Sequence, residues 1–458
     1  MKCTTKDNVR QDLAQGLSVD PLVDEQWATV LQMLPEGLDL EATAKATKAL
    51  VRKREIKKAT DLLRLVLTYA VCDWSLRLVG VWCAVLQLAH LSDTAVLKRL
   101  RHCPVWLGQI IAQLLDVHYV PLAQFPDVRV RLMDATGASR PGSSGTDWVI
   151  HASLDLGRLC LDGLEVTDAH GAETMARYPP QANEIRVGDR GYAYAKSMGP
   201  VLASGSGLVV RINWQSVPLE HQAGTKVDLI AFLGSISPQQ PIVEQSVWMQ
   251  TPQGRFPLRL IVAMLPQEAA DRARQRIHKA YRRKGKTPDA RTLFAAGFTM
   301  VVSNLPQEPW PAEQVLRLYR LRWQVELLFK RLKSLLHLDH LRAQDPQLAQ
   351  AYLLGKLLAA LLLDRLAHHV RRLCPEWFQS LARPVSVWRL TALLYDTFRH
   401  LVRGEITLVR LFQALPHLGR FLRDSPRRRP QQLAHARSFL DRLSFGQGTV
   451  VYEPTLSR

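Results

Sequence analysis

Cysteine is scarce in this chain, with six in 458 residues. Cys3, Cys72, Cys83, Cys103, Cys160 and Cys374 are scattered, with no Cys-x-x-Cys pair. That spacing excludes a disulfide frame and a thiolate zinc site, and it predicts buried thiols in a reducing cytoplasm. Long apolar runs are also missing. The best candidate, Leu353 to Leu363, is interrupted by Lys356, closed by Asp364 and too short to cross a bilayer. The opening MKCTTKDNVRQDL lacks the apolar core of an export signal, so the expectation is a cytoplasmic chain with no membrane partner. There is no internal repeat and no long low-complexity tract. Acidic residues are in deficit: 41 Asp and Glu stand against 60 Lys and Arg, a formal net charge of +19. An excess of that size points to a polyanionic partner.

A chain of this length has room for two or three domains. From about 20 to 118 apolar residues recur at helical steps, most clearly in DLLRLVLTYAVCDWSLRLVGVWCAVLQLAHL, with Thr60 or Asp61 as the expected cap. Leu91-Ser92-Asp93 starts a further helix that carries Lys98, Arg99 and Arg101. Two helices joined by a short polar turn form a candidate helix-turn-helix. Arg52-Lys53-Arg54, Lys57 and Lys58 lie upstream; such charges also serve simply to solvate a helix face, and the net charge favours DNA contact. Around residue 127 the texture changes. VRVRLMDA, DWVIHASLDL and LCLDGLEVTD read as three strands, a helix is expected near GAETMARY, and EIRVGDRGY reads as a fourth strand. That order fits an α/β, ribonuclease H-like core. LVVRINW, DLIAFLG, VEQSVWMQT and FPLRLIVAML are again strand-like, and a basic helix (AADRARQRIHKAYRRKGK) precedes TMVVSNL. We therefore expect an inserted β-rich subdomain at about 212–300. From Pro311 the chain is helical almost to the end, with a break at Asp345-Pro346 and an arginine run at Arg427-Arg428-Arg429.

The most informative segment is YRLRWQVELLFKRLKSLLHLDHLRAQDP, beginning at Tyr319. Wound as one helix, Tyr319, Arg322, Trp323, Lys330 and Lys333 fall within about 60° of Glu326. Leu318, Leu321, Val325, Leu328, Leu332 and Leu336 fall opposite. An ordinary amphipathic helix with Glu–Lys pairs accounts for much of this. It does not account for Tyr and Trp beside the carboxylate, which suit a surface that grips a phosphate backbone and stacks on an unpaired base. Asp134 and Asp189 each end a strand-like run, where an acid must be hydrogen-bonded, paired or metal-bound. Two such acids and a third on a downstream helix form the set that holds two divalent cations for in-line displacement at phosphorus. Hard oxygen ligands select Mg²⁺ or Mn²⁺.

Tyr319-x2-Arg322-x3-Glu326-x6-Lys333 resembles the Y-(2)-R-(3)-E-(6)-K signature of bacterial insertion-sequence transposases of the insertion sequence four family. DATGASRPGSSGTDWVIH is similar to the block around that family's first catalytic aspartate, here Asp134, and GDRGY to the second, with Asp189. The resemblance covers roughly residues 127 to 370, including the long β insertion. It implies a DDE transposase that frees a 3′-hydroxyl at each element end, forms a hairpin and then attacks target DNA. By that resemblance Asp134, Asp189 and Glu326 are the catalytic metal ligands, with two Mg²⁺ (or Mn²⁺) ions per site. Tyr319, Arg322 and Lys333 hold phosphates, Lys330 is a further basic contact, and Trp323 either places a flipped base or packs on Tyr319. Trp248 is the candidate for the aromatic that stacks on an extruded base, against a core role, and Arg211 lies near the expected DNA path. Arg190 and Tyr192 shape the turn at Asp189. The implied partners are double-stranded DNA, as terminal repeats and target, and a second copy of the chain in a homodimer on paired ends. AYLLGKLLAALLLDRLAHHV is either part of that interface or a buried core helix, the latter favoured.

The glycine clusters Gly142-Ser143-Ser144-Gly145 and Gly205-Ser206-Gly207 lack a following Lys-Ser/Thr and read as turns. His337, Asp339 and His340 read as capping and polar contacts, and His151 is given no role. The expected organisation is a helical DNA-end-binding region at 1–120, a catalytic domain at 121–370 and a C-terminal helical region at 371–458. Two rival readings are a ribonuclease H-like endonuclease without strand transfer and a non-catalytic DNA-binding remnant of an element.

Overall fold

Helix-forming periodicity fills the N-terminal third, and local caps decide where it is cut. In the computed structural model, which describes residues 21–86, 88–115, 128–379 and 385–404, six helices come first. They are α1 (Pro21–Gln32), α2 (Leu40–Ala46), α3 (Ala59–Cys72), α4 (Leu76–Val85), α5 (Asp93–Arg101) and α6 (Pro104–Leu115). The long run expected as one helix is broken between α3 and α4. Asp73 takes the left-handed conformation (φ 53°, ψ 33°) that short polar side chains tolerate. Ser75 then caps α4, accepting from the Leu78 N–H at 3.2 Å. The start of α3 is capped by neither Thr60 nor Asp61: the Glu41 carboxylate accepts the Ala59 N–H at 2.6 Å instead. Ser92 caps α5 as its sequence suggests.

The strands follow as β1 (Arg129–Ala138), β2 (Trp148–Asp155), β3 (Cys160–Asp168) and β4 (Glu184–Gly188), then α7 (Ala195–Ala203) and β5 (Gly207–Ile212). Next come α8 (Leu229–Gly234), β6 (Ile242–Thr251), β7 (Gly254–Met264), α9 (Gln267–Arg283), α10 (Ala290–Ala295) and β8 (Phe298–Ser303). Helices close the described chain: α11 (Ala312–Leu321), α12 (Trp323–Leu336), α13 (Pro346–Leu373), α14 (Glu376–Gln379) and α15 (Val387–Arg403). Two expectations fail locally. DLIAFLG is helix, not strand, because Asp228 caps it by accepting from the N–H groups of Ile230 and Ala231, both at 3.0 Å. GAETMARY is a loop. Pro179-Pro180 cannot continue a helix, and the fully buried Arg186 of β4 donates to the carbonyls of Met175, Tyr178 and Pro179, fixing the loop from below.

The chain folds as two units. One is built from described residues within 1–118, 137–150 and 328–427, the other from those within 119–136 and 151–327. In the first, α13 is packed by α3, α6 and α15. It runs 28 residues, longer than the short apolar stretch expected, and is apolar enough to cross a membrane by length and composition; 83% of its most apolar window is buried within the protein, as in a core helix. Its Lys356 is fully buried, donating to Asp73 at 3.1 Å and to the Leu336 carbonyl, while the Tyr352 hydroxyl donates to the same Asp73. Burial lowers the lysine pKa against the pull of Asp73. Asp345 caps α13, accepting from the Leu348 N–H at 2.9 Å, and pairs with Arg101 at 2.6 Å. Arg101 therefore has a structural partner. Of the described cysteines Cys72, Cys83, Cys103 and Cys160 are buried, and none of the five described forms a disulfide. Cys3, residues 405–458 and the arginine run at 427–429 lie outside the described residues.

The second unit carries most of an eight-stranded sheet in the order β3-β2-β1-β4-β5-β8-β7-β6. The four strands read from the sequence as the ribonuclease H-like core take four of the first five positions, and β5 joins them. β4 lies parallel to β1 on one side and to β5 on the other. The β-rich insertion extends this sheet: β8 runs antiparallel to β5, β7 to β8 and β6 to β7. Its core packs Val210, Val247, Leu260 and Val302 from these strands with Met198 of α7.

Candidate active site

Register brings the two aspartates together. Leu132 of β1 lies opposite Val187 of β4, and Gly188 of β4 lies opposite Val210 of β5. Carried on by two residues and one residue, the same registers set Asp134 beside Asp189 and Asp189 beside Arg211. The three share one line across adjacent parallel strands, at roughly 4.8 Å per strand. Asp189 directly follows the last residue of β4, and Arg211 is the last but one of β5; Asp134, expected at a strand end, lies inside β1, which runs on to Ala138. Asp134 accepts from the N–H of Ala135 at 2.9 Å. Asp189 accepts from the Gly191 N–H at 2.8 Å and so caps the short 3₁₀ turn Arg190–Tyr192. Tyr192 is buried beneath that turn.

The signature stretch is not one uninterrupted helix. α11 ends at Leu321 and α12 begins at Trp323. At Arg322 the chain stays right-handed (φ −51°, ψ −27°) but tightens, with Arg322 N–H donating to the Tyr319 carbonyl at 3.1 Å and Val325 N–H to that of Arg322 at 3.2 Å. The leucine face is buried as expected, from Leu318 to Leu336. Arg322 bridges the acids: it ion-pairs with Glu326 and lies 3.8 Å from Asp134. Its guanidinium also sits over the Tyr319 ring at 5.8 Å. Burial opposes the charge on Arg322, but Tyr319 and Glu326 outweigh it and hold the guanidinium pKa above its ordinary value.

The carboxylates strain against one another. Burial pushes the Asp134 pKa up to about 7; the Ala135 N–H and Arg322 pull it down, and the charges of Asp189 and Glu326 raise it further. Two residues given no catalytic role from the sequence join this group. Glu173, in the loop pinned by Arg186, has its pKa raised by burial and by Asp189. Its Oε2 lies close over Gly191: a Cβ there would meet it at 1.8 Å, so any larger residue requires the Glu173 carboxylate to turn aside. Arg190 has its pKa lowered by burial and by Arg211, with Tyr319, Asp189 and Arg322 also acting on it. A residue's distance in sequence hides such neighbours; for Arg190 adjacency to Asp189 was the available signal.

The remaining predicted residues fall as follows. Trp323 is 47% exposed, and the group over Tyr319 is Arg322. Lys330 is exposed and Lys333 half-buried, on the part of α12 that belongs to the first unit. Trp248 is half-buried on β6, opposite Pro257, with Arg255 over its ring at 4.9 Å, and among the described residues no ion pair or hydrogen bond joins it to Asp134, Asp189 or Glu326. His151 is buried against Thr167, and burial drives its pKa down to about 4. His340 and Asp339 are exposed, 3.8 Å apart.

Among the described residues no three Asp, Glu, His or Cys side chains converge into a ready cage for a metal ion. The donor chemistry nonetheless fits hard divalent cations: carboxylate oxygens only, one of them with a pKa that a nearby cation would lower.

A ribonuclease H-like sheet that carries acids side by side on adjacent parallel strands defines a class of enzymes acting on phosphodiester backbones. Within it, the family described as Transposase DDE domain matches residues 128–362. The chain is 38% identical over 345 residues to the putative transposase InsL for insertion sequence element IS186A of Escherichia coli (strain K12), covering 74% of this chain and 93% of that one. Identity to the transposase for insertion sequence element IS421 of Escherichia coli is also 38%, over 74% and 93%. To the transposase for insertion sequence element IS231F of Bacillus thuringiensis subsp. israelensis it is 26%, over 58% and 52%. Among solved structures it is similar to a piggyBac transposase synaptic complex with hairpin DNA, at TM-score 0.41 and 11% identity over 90% and 85%. The chain belongs to the DDE transposases, enzymes that cut DNA and transfer its strands. Enzymes of this family generally use divalent metal ions.

Proposed function

We propose that this chain excises and reinserts a bacterial insertion sequence by cut-and-paste, through a hairpin intermediate, with Asp134, Asp189 and Glu326 as its carboxylate triad. These three side chains would hold two Mg²⁺ (or Mn²⁺) ions, which activate a water or 3′-hydroxyl and stabilise the leaving oxygen. The observation supporting this is the register that aligns Asp134 with Asp189, joined through Arg322 to Glu326. Protein groups do the positioning. Arg322 and Tyr319 share one face with the acids, where the guanidinium meets a phosphate in a bidentate fork and the phenol donates to a phosphate oxygen. Arg211, beside Asp189, contacts the backbone of the cut strand. Lys330 and Lys333 add charge along α12. The exposed Trp323 stacks on an unpaired base; Trp248 takes that role only if Arg255 leaves its ring.

In this reading residues 1–120 bind element ends, 121–370 form the catalytic domain with the β-rich insertion, and 371–458 form a C-terminal helical region. Two copies synapse the ends as a homodimer. The test uses a labelled duplex carrying the element's end, with Mg²⁺ or Mn²⁺, resolved on a denaturing gel. Wild type nicks the end and forms a hairpin; Glu326→Ala binds but does neither. Cleavage that survives Glu326→Ala assigns the chemistry to another acid, and wild type that binds without metal-dependent cleavage refutes the enzymatic reading.

A further inference from the structure

α9 is built unlike any other helix of its unit. Of its 17 residues only Ala270 is buried. Its acids, Glu268 and Asp271, sit near its N-terminus, where they suit the helix dipole. From Arg272 to Lys286 there is no acidic residue and there are eight Lys or Arg. Helical phase sorts them. Ala270, Arg274, Ile277 and Tyr281 fall on one side within about 60°. That side rests on the unit: Arg274 donates to the Leu293 carbonyl at 3.3 Å and lies against Gly297. Arg272, Arg276, Lys279 and Arg283 fall on the opposite side, again within about 60°, and all four are exposed. Arg272 has Glu268 at 3.4 Å. Among the described residues Arg276, Lys279 and Arg283 have no carboxylate partner.

Structure explains part of this charge. Cations in the last turn, Arg282 and Arg283, favour the helix C-terminus. Arg276 and Lys279, mid-helix, gain nothing from the dipole and repel their neighbours at one-turn spacing. A charged stripe that costs the helix stability and covers no core has its use outside the fold. We infer that this stripe of α9 is a docking surface for the sugar-phosphate backbone of duplex DNA, distinct from the carboxylate site, read without base specificity. From Arg276 to Arg283 the helix rises about 10 Å. That spans about three phosphates along one strand at ~3.4 Å each, matching the three unpartnered cations. The inference rests on the transposase reading for its partner.

The test is the salt dependence of binding to a random-sequence duplex, measured by fluorescence anisotropy on the full chain. The triple variant Arg276→Gln, Lys279→Gln, Arg283→Gln is compared with wild type and with the charge-preserving Arg276→Lys, Arg283→Lys. Each lost phosphate contact reduces the log–log salt slope by about 0.9. The Gln variant therefore loses about 2.7 of slope, so its affinity deficit narrows about 40-fold between 50 and 200 mM salt. The Lys variant keeps the wild-type slope, and an unchanged melting temperature shows that the fold is intact. A Gln variant with the wild-type slope overturns the stripe while leaving the transposase reading standing. So does loss of binding to anionic phosphatidylserine vesicles with DNA binding unchanged, which gives the stripe to a membrane surface. Wild type that binds no duplex refutes the underlying reading.

Discussion

Asp134→Asn makes the metal-free protein more stable, and by an amount that depends on pH. The Asp134 side chain is 16% exposed, and burial with two neighbouring carboxylates lifts its pKa to about 7 from an ordinary 3.8. A raised folded-state pKa means that the folded chain holds the proton more tightly than the unfolded one. Its stabilising contribution is full below pH ~4 and lost as pH rises through about 7. By pH 8 the cost is about 4 kcal/mol, and at pH 5 about 2 kcal/mol. Asn is nearly isosteric, keeps an oxygen for the Ala135 N–H and carries no charge. The variant should therefore gain about 4 kcal/mol at pH 8 and about half that at pH 5, while losing all cleavage. Urea unfolding followed by tryptophan fluorescence, in chelator at both pH values, measures the difference. An Asn variant no more stable than wild type at pH 8, or equally favoured at both pH values, would show that the acids at this site are not in conflict.

Two further outcomes follow from the geometry. Gly191→Ala places a methyl group 1.8 Å from the Glu173 Oε2 position, forcing that carboxylate aside. Cleavage should fall at least tenfold with DNA affinity unchanged, and a variant of wild-type activity would show that Glu173 has no bearing on the site. Lys356→Met leaves the Leu336 carbonyl and the one-third exposed Asp73 without their cation, though Asp73 keeps the Tyr352 hydroxyl, and should cost about 2 kcal/mol. Equal denaturation midpoints for variant and wild type would contradict the buried pairing.

Local chemistry in the sequence determined a good deal here. Periodicity located the four core strands and the basic helix α9. Ser92 located the start of α5, because a cap acts within four residues of itself, and the break expected at Asp345-Pro346 falls where α13 begins. The leucine face from Leu318 to Leu336 emerged buried as its spacing demanded, and the sequence named Asp134, Asp189 and Glu326 as the proposed triad, though Asp134 lies within β1 and not at its end.

Contacts beyond the immediate sequence window decided much of the rest. Thr60 and Asp61 lost the cap of α3 to Glu41, and GAETMARY lost its helix to an arginine on β4 that takes three of its loop's carbonyls. The segment around Arg322 tightened where its guanidinium reaches both Asp134 and Glu326. Only strand register aligned Asp134, Asp189 and Arg211, and only the folded loop brought Glu173 over Gly191. Residue type and spacing name the groups able to do chemistry; hydrogen bonds between distant strands set which of them share a site.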